Sequence, residues 1–272
     1  MSDNARSGVL LTLLLLAVTV NAEPIFDAHL HYNAADTKQL DTRTVIQKLD
    51  RNGISYAVVT GAPASHAADL YSYAPERIIP LLGLYRDHTD KADWHDDMLL
   101  PDYVEAELKS GFWRGVGELH IFAKDRHSPV FRRIVEIVSS QQLPMLIHGD
   151  PAVIDTIYDI APAIKVVWAH AGTFPYPDLI ADYLQRYPAL LIDLSMRDER
   201  IAPKGQLDDA WYELFVTNPD RFMVGVDTYS LSRWQQFDTV TAHIRSWLSQ
   251  LPDDVSRQLA HENAARLFNK SR

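Results

Sequence analysis

The chain has 272 residues, a formal net charge of -10 and no cysteine. Without cysteine there are no disulfides, thiolate metal sites or thiol nucleophiles. The acidic balance repels phosphate backbones and disfavours nucleic acid or an anionic polymer as a partner, while the length suits one α/β barrel or two small domains.

Residues 1–22 read as a signal peptide. Arg6 gives a basic start, and residues 8–20 (GVLLTLLLLAVTV) form an apolar run. That run is shorter than the roughly 20 residues a bilayer-spanning helix needs. Val20-Asn21-Ala22 resembles a cleavage site, with Glu23-Pro24 as the mature start. An uncleaved segment would instead be a membrane anchor. Either reading places the remaining domain, residues 23–272, outside the cytoplasm, periplasmic or secreted.

From Pro24 onward short β-branched or apolar runs alternate with segments of helical period, the pattern of parallel strands joined by helices. Strands are predicted over 25–29, 55–60, 78–85, 115–120, 144–148, 166–170, 190–194 and 222–227. Helices are predicted over 42–52, 130–142, 153–160, 178–186 and 207–216. Asn52-Gly53 reads as a left-handed helix cap, and Ser128-Pro129 as an N-cap followed by proline at the first helical position. Eight strands with helical partners predict a single-domain (β/α)8 TIM barrel. The rival, a doubly wound open sheet, commonly carries a glycine-rich loop after its first strand, where this chain has His29-Leu30-His31. Residues 86–101 are left as a lid or pocket wall.

Polar residues recur at the carboxyl ends of these strands, the face on which barrel enzymes build their sites. The first strand ends in Asp27-Ala28-His29-Leu30-His31, and residues two apart on a strand share a face. The fourth ends in Glu118-Leu119-His120, the fifth in His148, the sixth in His170 and the eighth in Asp227. Ionisable groups buried without partners cost several kcal/mol each, a cost that a coordinated cation removes.

These residues resemble the metal-dependent hydrolases of the amidohydrolase superfamily, particularly the amidohydrolase 2 branch, over nearly the whole mature chain. The matching segments are Asp27-Ala28-His29-Leu30-His31, Leu146-Ile147-His148, His170-Ala171-Gly172, Pro219-Asp220-Arg221-Phe222 with Gly225-Val226-Asp227, and the closing Glu262-Asn263-Ala264-Ala265-Arg266-Leu267-Phe268. The resemblance implies that His29, His31, His148 and Asp227 bind a divalent metal, zinc or manganese, and that His170 binds a second ion or orients the water. Such an ion lowers the pKa of its water toward about 7. Asp227 would then accept and relay a proton, and His170 could stabilise the oxyanion. Glu118 either bridges two metals or holds a ligand histidine in its tautomer, which separates a two-ion from a one-ion site. His120 and Arg197 are substrate-binding candidates, the latter as a bidentate clamp for a carboxylate; solvated histidine and surface ion pair are their ordinary alternatives.

The function these expectations describe is hydrolysis of a small amide, ester or lactone by metal-activated water. Non-oxidative decarboxylation of a small acid uses similar ligands and is the nearest enzymatic alternative. An exported protein that binds metal or ligand without turnover is the alternative from another class.

Overall fold

The computed structural model describes residues 23–270, so the signal peptide expected over 1–22 lies outside the described residues. The elements follow in order β1 (Ile25–His31), α1 (Thr42–Arg51), β2 (Ile54–Thr60), α2 (Ser65–Tyr73), β3 (Ile78–Pro80), α3 (Leu100–Leu108), β4 (Val116–Ile121), α4 (Pro129–Ser140), β5 (Met145–Gly149), α5 (Pro151–Ile160), β6 (Val166–Trp168) and α6 (Pro177–Arg186). They continue with β7 (Leu190–Asp193), α7 (Asp198–Ile201), α8 (Asp209–Thr217), β8 (Phe222–Met223), α9 (Leu231–Gln235) and α10 (Phe237–Leu248). No helix among the described residues is long and apolar enough to cross a membrane.

All strand pairs are parallel, in the orders β1-β2-β3 and β4-β5-β6-β7-β8. Backbone bonds join the two sheets at both edges. Leu82 N donates to Gly115 O at 2.9 Å and Gly117 N to Leu82 O at 3.0 Å, with Leu82 bridging Val116 in parallel. On the other side Ala28 N donates to Val224 O at 2.9 Å and Asp227 N to His29 O at 2.8 Å. The eight strands therefore close into a ring.

The two caps expected from sequence, Asn52-Gly53 and Ser128-Pro129, are present, and Asp41 adds one that the sequence reading does not name. Asp41 accepts from Thr44 N at the start of α1, which ends at Asn52 with Gly53 at φ +63°, a left-handed conformation open to glycine without a Cβ penalty. The Ser128 hydroxyl accepts from Val130 N and Phe131 N, with Pro129 opening α4.

β3, β6 and β8 are shorter than their apolar runs predict, ending at Pro80, Trp168 and Met223. Past two of these ends, His170 and Asp227 take φ +58° and +55°. Non-glycine residues adopt this region at a cost of about 1–3 kcal/mol, and such residues cluster at functional sites.

Two cores hold the barrel. Inside the ring pack Phe26, Ala28, Val58, Leu146, Val167 and Met223; a larger core lies between the strands and the helices. Closing the amino end, Asn263 Nδ2 donates to Pro219 O and Phe222 O, both at 2.8 Å, while Phe26 packs against Phe268. The terminal motif at residues 262–268 thus works in the wall opposite the mouth.

Candidate active site and metal centre

A register shift between Asp27 and Leu30 aims the first two donors. Before it, Phe26 and Ala28 face the barrel interior, whereas Leu30 belongs to the outer core. The break in alternation turns His29 and His31 inward, as bulges do beside active sites. Asp27 supports it, its Oδ1 accepting from His29 N and Val226 N, both at 3.1 Å. Burial pushes the Asp27 carboxyl up to about 7 against those two bonds. Thr228 Oγ1 accepts from His31 N at 2.9 Å and donates to His31 O at 2.7 Å, tying β1 to the chain beyond β8.

The expected donors converge. The ring nitrogens His29 Nε2 and His31 Nε2 are 3.2 Å apart. Glu118 stands at the centre with its two oxygens facing different sets. Oε2 lies 3.3 Å from His31 Nε2, 3.7 Å from His29 Nε2 and 3.4 Å from His120 Nε2. Oε1 lies 3.0 Å from His148 Nδ1 and 3.1 Å from His170 Nε2. Asp227 Oδ1 is 3.3 Å from His31 Nε2, and Oδ2 is 3.7 Å from His170 Nε2. His148 is the most exposed of these donors, at 33 % for its side chain, and so marks the side open to solvent.

Two residues that sequence reasoning passed over set the tautomers. Asp193, fully buried at the end of β7, lies 2.8 Å from His29 Nδ1 and accepts from Ser195 Oγ at 2.5 Å. A carboxylate can only accept, so the His29 proton sits on Nδ1 and the Nε2 lone pair faces the cluster, as in the carboxylate–histidine pairs behind metal ligands. His170 Nδ1 is 3.2 Å from Ser195 O and 2.9 Å from Ser195 Oγ, which likewise leaves its Nε2 lone pair toward Glu118 and Asp227. The signal for Asp193 was the one used elsewhere, a carboxylate at a strand's carboxyl end.

The substrate-binding candidates stand differently. Arg197 donates from Nε to His170 O at 2.6 Å and from Nη2 to Gly172 O at 3.0 Å. The fork needed to grip a substrate carboxylate is thus turned on the protein's own backbone, where it fixes the turn that carries His170. His120 stacks on His148 at 4.5 Å between ring centroids, with Nδ1 3.3 Å from Tyr85 Oη and Nε2 3.4 Å from Lys91 Nζ. Burial pulls its imidazole down to about 3, against the pull of Glu118 and with the help of Lys91.

Charge supplies the test for a metal. Glu118, Asp193 and Asp227 are buried, and among the described residues no lysine or arginine pairs with them. The Oδ1 atom of Asp227 is buried without a hydrogen-bond partner. Burial opposes a charge on His29, yet the carboxylates of Asp227, Asp193 and Glu118 raise its pKa well above the ordinary value. Burial likewise opposes a charge on Glu118, and the imidazoles of His29, His148 and His170 bring it well below the ordinary range. Buried anions in this number call for a cation, and His29–His31–Glu118, His29–His170–Asp227 and Glu118–His120–His148 each gather atoms close enough to share one. The donor set therefore fits a divalent metal.

A cavity of about 540 Å³ among the described residues contains none of these donors. Leu84, Trp94, Leu100 and Tyr103 line it together with several aspartates, and it shares Tyr85 with the narrow cleft that His31 and Glu118 line. Because chemistry needs the donors, the cleft is the site and the cavity its neighbour. The segment between β3 and α3 separates them, with Trp94 buried and its Nε1 donating to His120 O at 2.8 Å. This is the wall expected of residues 86–101.

A parallel α/β fold gathering histidine and carboxylate donors on its carboxyl face defines a metal-dependent hydrolase. A family model described as amidohydrolase matches residues 26–270, and the chain belongs to that family, in the amidohydrolase 2 branch. Solved structures share the fold. A probable 2-pyrone-4,6-dicarboxylic acid hydrolase from Acinetobacter baumannii, with citric acid bound, aligns at TM-score 0.65 and 13 % identity over 90 % of this chain and 99 % of that one. An amidohydrolase from Burkholderia multivorans with bound zinc aligns at 0.61 and 16 % over 91 % and 100 %. A 5-carboxyvanillate decarboxylase from Sphingomonas paucimobilis aligns at 0.56 and 15 % over 92 % and 100 %. No match was found among curated proteins. Solved structures of this fold thus include proteins named for each of the two reactions considered from sequence, and the family makes this protein an enzyme.

Proposed function

We propose that the protein hydrolyses an acyl bond in a small lactone, ester or amide at a two-ion centre, zinc being the metal. The observation that carries this reading is the division of Glu118, whose two oxygens face two donor sets. His29, His31, Glu118 and Asp227 would hold one ion, and Glu118, His148 and His170 the other. When bound, such ions supply Lewis-acid polarisation of the carbonyl and a lowered pKa for the attacking water.

The chain's own groups do the rest. Asp227 takes a proton from the attacking water as the new C–O bond forms, and returns it to the leaving oxygen or nitrogen as the acyl bond breaks. Asp193 and Ser195 hold the His29 and His170 rings in their tautomers throughout. The lone pair of His170 Nε2 favours a ligand role for that residue over donation to an oxyanion.

Elemental analysis of the purified protein tests the proposal. We expect about two equivalents of zinc in the wild type, about one or fewer in Glu118→Ala and a comparable loss in His29→Ala. Turnover by metal-free protein sinks the reading. On a panel of lactones, esters and aryl acids, carbon dioxide release in place of a new carboxylic acid would move the assignment to decarboxylation.

The enzyme is further proposed to act outside the cytoplasm, on the strength of the apolar run at residues 8–20 and the Val20-Asn21-Ala22 site. Protein recovered from the producing cells should begin at Glu23; an intact Met1 on soluble cytoplasmic protein would refute export.

A further inference from the structure

The end of β7 and the residues after it hold a single histidine at three points. Residues 193, 195 and 197 alternate along the chain, and each meets His170 at a different atom. Asp193 Oδ2 accepts from His170 N at 3.2 Å, the Ser195 hydroxyl lies 2.9 Å from His170 Nδ1, and Arg197 Nε donates to His170 O at 2.6 Å. Arg197 Nη2 reaches further along the same turn and donates to Gly172 O at 3.0 Å.

The turn held in this way needs outside support. His170, Ala171 and Gly172 have φ of +58°, +54° and +77° in succession. Only glycine takes this region without a Cβ penalty, so the first two positions depend on their contacts to stay there. Gly172 lies on the indole of Trp168 with no room for a Cβ, and Trp168 is itself buried and fixed through Nε1 to Gly149 O at 2.9 Å. Packing thus secures the far end of the turn, while the guanidinium spans the two carbonyls that flank Ala171. Its donors stand in a rigid planar fork that stays charged at neutral pH, so the two bonds act together.

Of the two donor sets assigned above, only one contains His170. In the other, His29 is held by Asp27 and Asp193 and His31 by Thr228, whereas both Arg197 bonds go to the His170 turn. We propose that Arg197 is a positioning residue for the second ion. By clamping His170 O and Gly172 O it keeps His170 Nε2 on Glu118 Oε1, at 3.1 Å, so that the affinity of the Glu118–His148–His170 set depends on it and that of the His29–His31–Glu118–Asp227 set does not. This rests on the two-ion reading of the centre.

The experiment is competition titration with zinc and a chromophoric chelator on metal-free wild type, Arg197→Gln, Arg197→Lys, His170→Ala and the double variant His170→Ala/Arg197→Gln. Arg197→Gln should weaken one ion by about 10–100-fold and leave the other within about three-fold. Arg197→Lys, whose ammonium replaces a fork with a single point of charge, should fall between wild type and Arg197→Gln, and it carries the test if the glutamine variant does not fold. The double variant should bind zinc as His170→Ala does, because a residue acting only through His170 adds nothing once that imidazole is gone. Equal weakening of both ions, or a further loss in the double variant, would make Arg197 a general support of the fold and overturn the proposal. Two ions held equally well by wild type and Arg197→Gln would also overturn it, while leaving the two-ion reading intact. A single ion in wild type would count against that reading; the cycle with His170→Ala, read on that ion, would then keep Arg197 as the support of His170 if the losses are non-additive and remove it if they add.

Discussion

Asp227→Asn should lower kcat by about 10³-fold while the protein stays folded and still takes up zinc. The carboxylate is buried beyond the end of β8, with Oδ1 lacking a hydrogen-bond partner and lying 3.3 Å from His31 Nε2. An amide keeps the shape and one oxygen to coordinate, yet cannot accept the water's proton at neutral pH. The effect should therefore fall on turnover more than on occupancy. Steady-state kinetics with zinc analysis on the same preparation separates the two. Activity within about ten-fold of wild type would remove Asp227 from proton transfer, and full activity would favour a binding protein whose turnover came from a contaminant.

The second large effect concerns a residue outside the donor set. Asp193→Ala should weaken zinc binding by about 10–100-fold. Four donors turn on this one side chain: His29 Nδ1 at 2.8 Å, Ser195 Oγ at 2.5 Å, Ser195 N at 3.0 Å and His170 N at 3.2 Å. Without it nothing holds the His29 proton on Nδ1, and the ring is free to rotate or exchange tautomers. The metal-free protein should also lose about 1–3 kcal/mol from the donors left unsatisfied. Competition titration with a zinc chelator gives the first quantity, and denaturant unfolding of the chelated protein gives the second. Unchanged zinc affinity would mean that the ring is fixed by packing alone.

Much of this site was legible because strand geometry is simple. Alternation puts His29 and His31 on one face, and the barrel rule sends Glu118, His148, His170 and Asp227 to the same mouth. What escaped depended on distances between remote segments. Asp193 and His29 are 164 positions apart, and nothing local marks one as the partner of the other. Arg197, a few residues further on, carries a charge that suggests a ligand, yet its donors meet main-chain oxygens. Glu118 was open between bridging and orienting because both need the same residue, and only the separate neighbours of its two oxygens favour one. The apolar runs overstate the sixth and eighth strands because His170 and Asp227 turn into left-handed backbone, a conformation neither residue type signals. The wall at residues 86–101 was expected, but that Lys91 turns inward while Asp90 lines the outer cavity depends on short turns without apolar periodicity.

The seam between the first and last strands runs through the donors themselves: Asp227 N binds His29 O, and Thr228 clasps His31. Two of the six proposed ligands, His29 and His31, therefore arrive with the opening of the chain, and Asp227 waits until nearly all of it has docked. For the ion that His29, His31, Glu118 and Asp227 would hold, a partial fold offers no complete nest, so capture there follows closure, and that cation would act as a latch on a finished ring.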